Sequence, residues 1–275
     1  MIRISVLSDN SAISSRFASE HGLSLHIQTE DRKILFDFGA TDIFLRNALA
    51  MGIQIEEVDI AILSHGHIDH GGGIPCFLKK NHRAQVFAKR QIFQEFIAER
   101  IGGETASIGL NEDLIDKDRL VYCDDLLTIG ADLILFSDVP EVFPLPCTNK
   151  SLFVRKRDGL RPDSFAHEQN LLIRSGGSSV LIMGCAHRGV RNIIARAREI
   201  LGRDPDVIVG GFHLYSHGSG KGESPCVVDV LGWELAATHS KYYTCHCTGA
   251  EAADRLRRWM GDRLQVISAG DTIDI

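Results

Sequence analysis

The sequence predicts an α/β protein, and three observations carry that reading. Short β-rich runs alternate with helical apolar spacing in both halves of the chain. Several of the runs, such as "VDIAILS" at 58–64, are almost continuously apolar, as a strand buried on both faces must be. Residues of metal-binding or acid–base type follow the ends of those runs, where α/β proteins place their chemistry.

Composition bounds the rest. A chain of 275 residues with 44% hydrophobic content suits one large α/β unit with a sizeable core. The formal net charge of −6 is mild, and no basic run invites a phosphate backbone, so nucleic acid is not indicated. The start, "MIRISVLSDNSAISS", does not read as a signal peptide, and no window approaches the apolar length of a membrane span. Seven irregularly spaced cysteines do not make a disulfide framework. A cytoplasmic protein with reduced thiols is expected. The oligomeric state is not legible.

Element by element, "IRISVLS" (2–8) is a strand and "LSLHIQTEDRKILFDFG" (23–39) two strands around a charged turn. "DIFLRNALAMGI" (42–53) is a helix stopped by Gly52. The strand at 58–64 runs into "HGHIDHGGG", after which "GIPCFLKKN" (73–81) is helical and "AQVFAK" (84–89) a strand. Residues 90–165 break the pattern and are expected to form a small inserted α+β subdomain. Within them, "RQIFQEFIAERIGG" reads as a helix, "RLVYCDDLLTIGADLILFSDVP" as two or three strands, "PEVFPLPCTNK" as a loop and "RKRDGLRPDS" as a polar, mobile segment. The alternation then resumes. "NLLIRSGGSSVLIMGCAH" (170–187) is a hairpin about Gly176-Gly177, followed by a helix at 190–201, a strand at 205–214 and a flexible loop at 216–225. A helix at 226–237, a strand at 241–249 carrying His246, a helix at 250–261 and a strand at 264–270 complete the chain.

The stretch "ILSHGHIDHGGG" (62–73) places His65, His67, Asp69 and His70 within six positions. Two histidines two apart in an extended loop point to one side and can share one metal ion. Asp69 and His70, one step on at a helix entry, can reach a second. Neutral imidazoles with a carboxylate suit zinc, iron or manganese. The glycines at 71–73 permit close backbone turns and ligand approach. A metal pair needs further ligands, and three histidines follow strand ends: His187 with Cys185 in "GCAH", His213 in "GGFH", and His246 in "TCHCTG". Arg188, at a helix start beside "GCAH", is a candidate phosphate anchor with help from the helix amides. His213 is a candidate contact for substrate or metal. His26, His82, His217 and His239 carry no signal.

The residues "SHGHIDHGG" resemble the signature of the metallo-β-lactamase superfamily, and "ILFDFGA", ending at Asp37, is similar to its first motif. "EHGLSL", "HEQNLLI", "MGCAHRGV", "GGFHL" and "CHCTG" further resemble the branch of dihydropterin-ribofuranosylaminobenzene-phosphate synthase-like proteins. The resemblance implies an αβ/βα four-layer sandwich with two divalent metal ions, zinc foremost, at one edge of two facing sheets. It implies His65 and His67 on one ion, Asp69, His70 and His246 on the other, and Asp37 behind a ligand histidine. Where the superfamily usually has a bridging aspartate after a glycine, this chain has Gly184-Cys185, whose thiolate could bridge or ligate. The remaining ligand is then His187 or His167, with His187 preferred for following a strand end by two residues. The branch also suggests His21 and Asp9 at the rim. Cys245 and Cys247 flank His246 and are expected on the opposite strand face as buried side chains.

Three functions remain open on these residues. One is a metal-dependent hydrolase using a metal-bound hydroxide, with Asp69 orienting the water, on a phosphoester or related small molecule. Another is transfer with a diphosphate leaving group, as the branch name implies. The last is a non-catalytic metal or ligand sensor, for which Cys185 is the main argument. A small phosphorylated molecule is the expected partner.

Overall fold

The structure, a computed structural model, describes residues 1–275. Two seven-stranded sheets form its centre. The first runs in the order Thr272–Asp274, Arg3–Ser8, Ser24–Gln28, Lys33–Phe36, Ile60–Ile62, Gln85–Ala88, Leu120–Tyr122. The second runs Leu264–Val266, Lys241–Thr244, Val207–Gly210, Ser178–Ile182, Asn170–Ser175, Leu133–Phe136, Leu126–Ile129. Each sheet is antiparallel in one part and parallel in the other, the parallel part being Lys33–Phe36 to Leu120–Tyr122 in the first and Ser178–Ile182 to Leu264–Val266 in the second.

The period of two along each strand explains the layers. Ile34 and Phe36, Ile60 and Ile62, Val180 and Ile182, Val207 and Val209 all enter one core between the two sheets. The intervening Leu35, Ala61 and Leu63 face a second core beneath the helices Ile43–Ala50 and Ile74–Lys80. Leu181 and Ile208 face a third, under the helices Val190–Leu201, Pro225–Ala236 and Ala250–Met260. Helix, sheet, sheet and helix thus stack as the αβ/βα sandwich that the resemblance implied. No helix is long and apolar enough to cross a membrane.

Residues 90–165 divide among three sheets. Leu120–Tyr122 extends the first main sheet, and Leu126–Ile129 with Leu133–Phe136 extends the second. The flanks, Phe96–Glu99, Thr105–Ser107, Leu152–Lys156 and Gly159–Pro162, form a separate four-stranded sheet. Here the expected helix at 90–103 gives way to a short 3₁₀ turn, Arg90–Phe93, and the strand Phe96–Glu99. The apolar spacing fits both forms. Pairing Ile97 with Phe153 while burying Phe96 and Ala98 decides for the strand, and Gly102 and Gly103, at φ 96° and 87°, turn it into a hairpin. The segment expected to be mobile, 155–164, instead contributes the hairpin Leu152–Lys156 with Gly159–Pro162. The loop at 216–225 contains a small ladder, Tyr215–Ser216 with Lys221–Gly222.

Candidate metal centre

The parallel strands deliver the site. Asp37 follows Lys33–Phe36, and His65 to His70 follow Ile60–Ile62. Cys185 and His187 follow Ser178–Ile182, His213 follows Val207–Gly210 and His246 follows Lys241–Thr244. All lie beyond carboxyl ends of parallel strands, the position where open α/β sheets leave a crevice. The strand at 241–249 stops earlier than its sequence suggests, at Thr244, and His246 opens a short 3₁₀ turn. Four of the five non-glycine residues with positive φ are Asp37, Ala186, His213 and His246, and the fifth, Phe165, stacks on His187 with centroids 4.5 Å apart. Such backbone costs about 1–3 kcal/mol per residue and persists where the surroundings fix it, here around one set of side chains.

Glycine also has its reason here. A Cβ on Gly72 would sit 2.2 Å from the Ala40 carbonyl oxygen, and one on Gly73 would sit 2.1 Å from that of Phe38. The helix carrying Asp69 and His70 can therefore lie against the 38–41 backbone only without those side chains.

Four histidines are tied by Nδ1 so that Nε2 stays free. His70 Nδ1 donates to Asp37 Oδ2 at 2.6 Å. Ser64 Oγ donates to the same Asp37 oxygen at 2.7 Å and so accepts from His65 Nδ1 at 2.8 Å. His187 Nδ1 faces Asn149 Oδ1 at 3.1 Å, and His246 Nδ1 faces Asn10 Oδ1 at 2.8 Å. For His65, His70 and His187 the oxygen partners fix the tautomer in which Nε2 carries a lone pair, as metal-binding histidines require, whereas His246 also keeps a proton on Nε2 beside Asp69 that an ion would displace. The Nε2 atoms then face each other, His65 Nε2 3.3 Å from His187 Nε2 and His70 Nε2 3.2 Å from His246 Nε2. Neutral imidazoles in that arrangement repel unless a cation or proton lies between them. Two nitrogens each about 2.0–2.1 Å from a tetrahedral zinc ion lie about 3.3 Å apart, so the donor set fits such ions.

His67 stands next to the first group, its ring centroid 4.6 Å from that of His65 and 5.0 Å from that of His187, while its ligand atom clusters with those of Asp163 and His167. Its Nε2 is buried without a hydrogen bond, 3.9 Å from Asp163 Oδ2. Asp69 Oδ2 joins the second group, 3.3 Å from His246 Nε2 and 3.7 Å from His70 Nε2. Cys185 stands between the groups, its Sγ 3.2 Å from His70 Nε2 and clustered with the ligand atoms of both His65–His187 and His70–His246.

Protonation follows from burial and charge. Burial, with His70 adjacent, pushes His65 well below its ordinary range, and burial with His213 nearby does the same to His187. Burial lowers His67 to about 4. Burial opposes ionisation of Asp69, but His70 and His246 outweigh it and hold the carboxylate well below its usual range. For His246, burial is outweighed by the Asp69 carboxylate and its neighbours, which lift it to about 9. Burial, with Cys247 beside it, raises the Cys185 thiol well above its ordinary range.

The other sequence-derived candidates fall differently. His167 accepts from the Gly66 N–H through Nδ1 at 2.9 Å and meets Asp163 Oδ2 through Nε2 at 3.0 Å, so both nitrogens are engaged and His187 takes the place nearer His65. Arg188 does not line the cavity. Its guanidinium donates to the carbonyls of Val139 (2.8 Å) and Ser164 (3.4 Å), folded back onto the protein. Asp9 accepts from the His246 N–H at 2.8 Å, holding backbone from behind, whereas His21 Nε2 lies 3.3 Å from Asp69 Oδ2 at the rim. His217, without signal in the sequence, stands beside His21 with ring centroids 4.8 Å apart. His213 packs 4.1 Å from His187 by ring centroids, and neither of its nitrogens has a partner. Cys247 does not alternate away from the site, because the strand has ended. It reaches Cys185, whereas Cys245 joins the core between the sheets. Sequence reasoning passed over Asn10, Ser64, Asn149, Asp163 and Glu168. Glu168 is buried and accepts from the His187 and Arg188 N–H groups at 2.6 and 2.8 Å.

A cavity of about 140 Å³ opens over these groups, lined by His67, Asp69, Cys185, His187, His213 and His246 and walled by Ala98, Arg100, Ile108 and Leu152. A larger one of about 510 Å³ adjoins it, sharing Tyr215, His217 and His246.

The fold and this site define a metallo-β-lactamase-type sandwich with a histidine-rich cluster that could hold metal, and comparison with known proteins agrees on the fold. The metallo-beta-lactamase superfamily model matches residues 20–107. An uncharacterized protein of Methanocaldococcus jannaschii, MJ0448, is 29% identical over 92% of this chain and 93% of its own. The 7,8-dihydropterin-6-methyl-4-(beta-D-ribofuranosyl)-aminobenzene-5'-phosphate synthase of the same organism is 25% identical over 96% and 93%. The crystal structure of Tm1679, described as a metal-dependent hydrolase of the beta-lactamase superfamily, superposes with a TM-score of 0.83 at 26% identity, covering 100% of this chain and 99% of that one. The chain thus resembles the metallo-β-lactamase superfamily and, within it, the dihydropterin-synthase-like branch.

Proposed function

We propose that the chain is a metal-dependent hydrolase of small phosphoesters. His65, His67 and His187 would hold one divalent ion and Asp69, His70 and His246 the other, with Cys185 between them. His67, whose Nε2 faces Asp163, would give Nδ1. When bound, such ions bring water towards ionisation near neutral pH and take up the negative charge that develops on the attacked group. Asp69, ionised and at the cavity floor, accepts a hydrogen bond from the attacking water and sets its direction. The observation that carries the reading is the facing of the Nε2 atoms at 3.2 and 3.3 Å.

The phosphoester rests on Arg100. With the Arg188 side chain turned away, Arg100 is the one arginine or lysine lining the cavity. A guanidinium there can grip two phosphate oxygens at once. The small cavity admits a phosphoryl group, and the 510 Å³ neighbour receives the rest of the molecule.

A transferase reading has the synthase likeness in its favour. Against it, Tyr215 is the one phenylalanine, tyrosine or tryptophan lining either cavity, so a pterin has a single ring on which to stack. A sensor would have no need of a complete ligand set. Turnover of bis(p-nitrophenyl) phosphate and p-nitrophenyl phosphate by zinc- or manganese-loaded protein tests the proposal. Hydrolysis that disappears in the double variant His65→Ala/His67→Ala supports it. Absence of hydrolysis together with diphosphate release from a dihydropterin methyl diphosphate that depends on an aminobenzene ribose phosphate acceptor would overturn it.

A further inference from the structure

Beside the two groups of ligands lies a third, which shares Cys185 with them and adds two residues that they do not use. Cys185 Sγ, Cys247 Sγ and a ring nitrogen of His213 lie within 4.8 Å of one another. All three residues are buried, His213 to within 6% of full burial, and both nitrogens of its ring lack any hydrogen-bond partner. A buried imidazole satisfied at neither nitrogen is costly and calls for a missing partner. The backbone spends more to keep it there. His213 holds φ at +50°, and its carbonyl is fixed by Thr148 Oγ1 at 2.6 Å. Gly211 leaves room for the sulfur, since a Cβ at that position would stand 2.4 Å from Cys247 Sγ.

Two sulfurs and one imidazole are a soft donor set. Carboxylate-seeking ions such as magnesium or calcium would not choose it, whereas zinc or a cuprous ion would. The three residues also line the 140 Å³ cavity, so a fourth coordination position would face open space rather than protein.

We propose that Cys185, His213 and Cys247 form an additional metal position for a single thiophilic cation of the zinc or cuprous type. Cys185 is shared with the neighbouring pair and links the two. The open position accepts an exogenous donor from the cavity, a water or a thiol. His213 and Cys247 belong to this site alone, so it can be lost by substituting either one without removing a ligand of the pair.

The test uses full-length protein stripped with a chelator, reloaded with zinc, desalted and analysed for metal per chain. The wild type is expected to retain one ion more than either Cys247→Ser or His213→Ala. The double variant His65→Ala/His67→Ala is expected to lose ions of the pair while keeping the thiolate-bound one, so failure of the pair and failure of this site give different counts. In cobalt-loaded protein, the thiolate-to-cobalt absorption should fall in Cys247→Ser. One measurement needs no substitution: zinc should protect Cys185 and Cys247 of the wild type from iodoacetamide, read by peptide mass. Equal metal content in wild type, Cys247→Ser and His213→Ala, or full alkylation of Cys247 in the zinc-loaded wild type, would overturn the proposal. So would a Cys185–Cys247 disulfide in reloaded, ion-replete protein, since it leaves no thiolate to bind.

Discussion

Asp37 Oδ2 lies 2.6 Å from His70 Nδ1 and 2.7 Å from Ser64 Oγ, so one buried carboxylate oxygen orients two histidines, His70 directly and His65 through the serine. Its other oxygen accepts the Ser64 N–H at 2.7 Å. Asp37→Ala should therefore weaken metal binding at both groups, by about 10–100-fold as for lost outer partners of metal ligands. Competition titration with a chromophoric chelator measures it. A loss confined to one ion would show that the serine relay does not matter.

His187→Ala and His167→Ala should separate two roles that look alike in sequence. Removing His187 takes away a free Nε2 and should cost bound metal. Removing His167 leaves the Gly66 N–H and Asp163 without their partner and should cost about 1–3 kcal/mol of stability with metal content kept. Elemental analysis beside denaturant unfolding reads both.

Metal affinity should climb with pH, and the slope reports on Cys185. Below about 9 the His246 imidazole holds a proton that an ion must displace, which gives about a tenfold gain in affinity per pH unit. Asp69 is already ionised and adds nothing to the slope. The Cys185 thiol, raised by burial, adds a second displaced proton if it ligates. The wild type should show the steeper dependence and Cys185→Ser the shallower. Equal slopes would remove Cys185 from the ligand set.

Gly73→Ala should destabilise the fold by about 1–3 kcal/mol, because the added Cβ meets the Phe38 carbonyl and the Asp69–His70 helix must move away from its support. Urea unfolding of metal-free protein isolates that effect from any loss of ions.

Arg100→Ala should raise KM for a phosphodiester with a smaller effect on kcat, if the guanidinium takes the substrate's charge as proposed, since Arg100 lines the cavity and is not one of the proposed ligands. An unchanged KM would place the anion elsewhere.

What the sequence made legible was local. Strand, candidate ligand and helix adjoin in the chain, so "HGHIDHGGG" stood out by spacing and His187, His213 and His246 as candidates after strand ends, while the resemblance supplied their assignment. The residues that orient the ligands could not. Asn10 reaches His246 from 236 positions away and Asn149 reaches His187 from 38, and neither asparagine has a neighbouring signature. Arg188 misled because a helix start beside a ligand resembles an anion site, yet its long side chain folds back onto carbonyls of Val139 and Ser164. Residues 90–103 misled because a short apolar run fits either periodicity, and only the pairing with Leu152–Val154 decides it.

The four-stranded sheet separates the cavity wall from the proposed ligands. Every proposed metal ligand descends from the two central sheets, whereas Ala98, Arg100 and Leu152, which wall the cavity, come from this sheet or its margin. Substitutions in that wall, exchanging charge for bulk or an arginine for an apolar side chain, would change what the cavity admits without altering a proposed ligand.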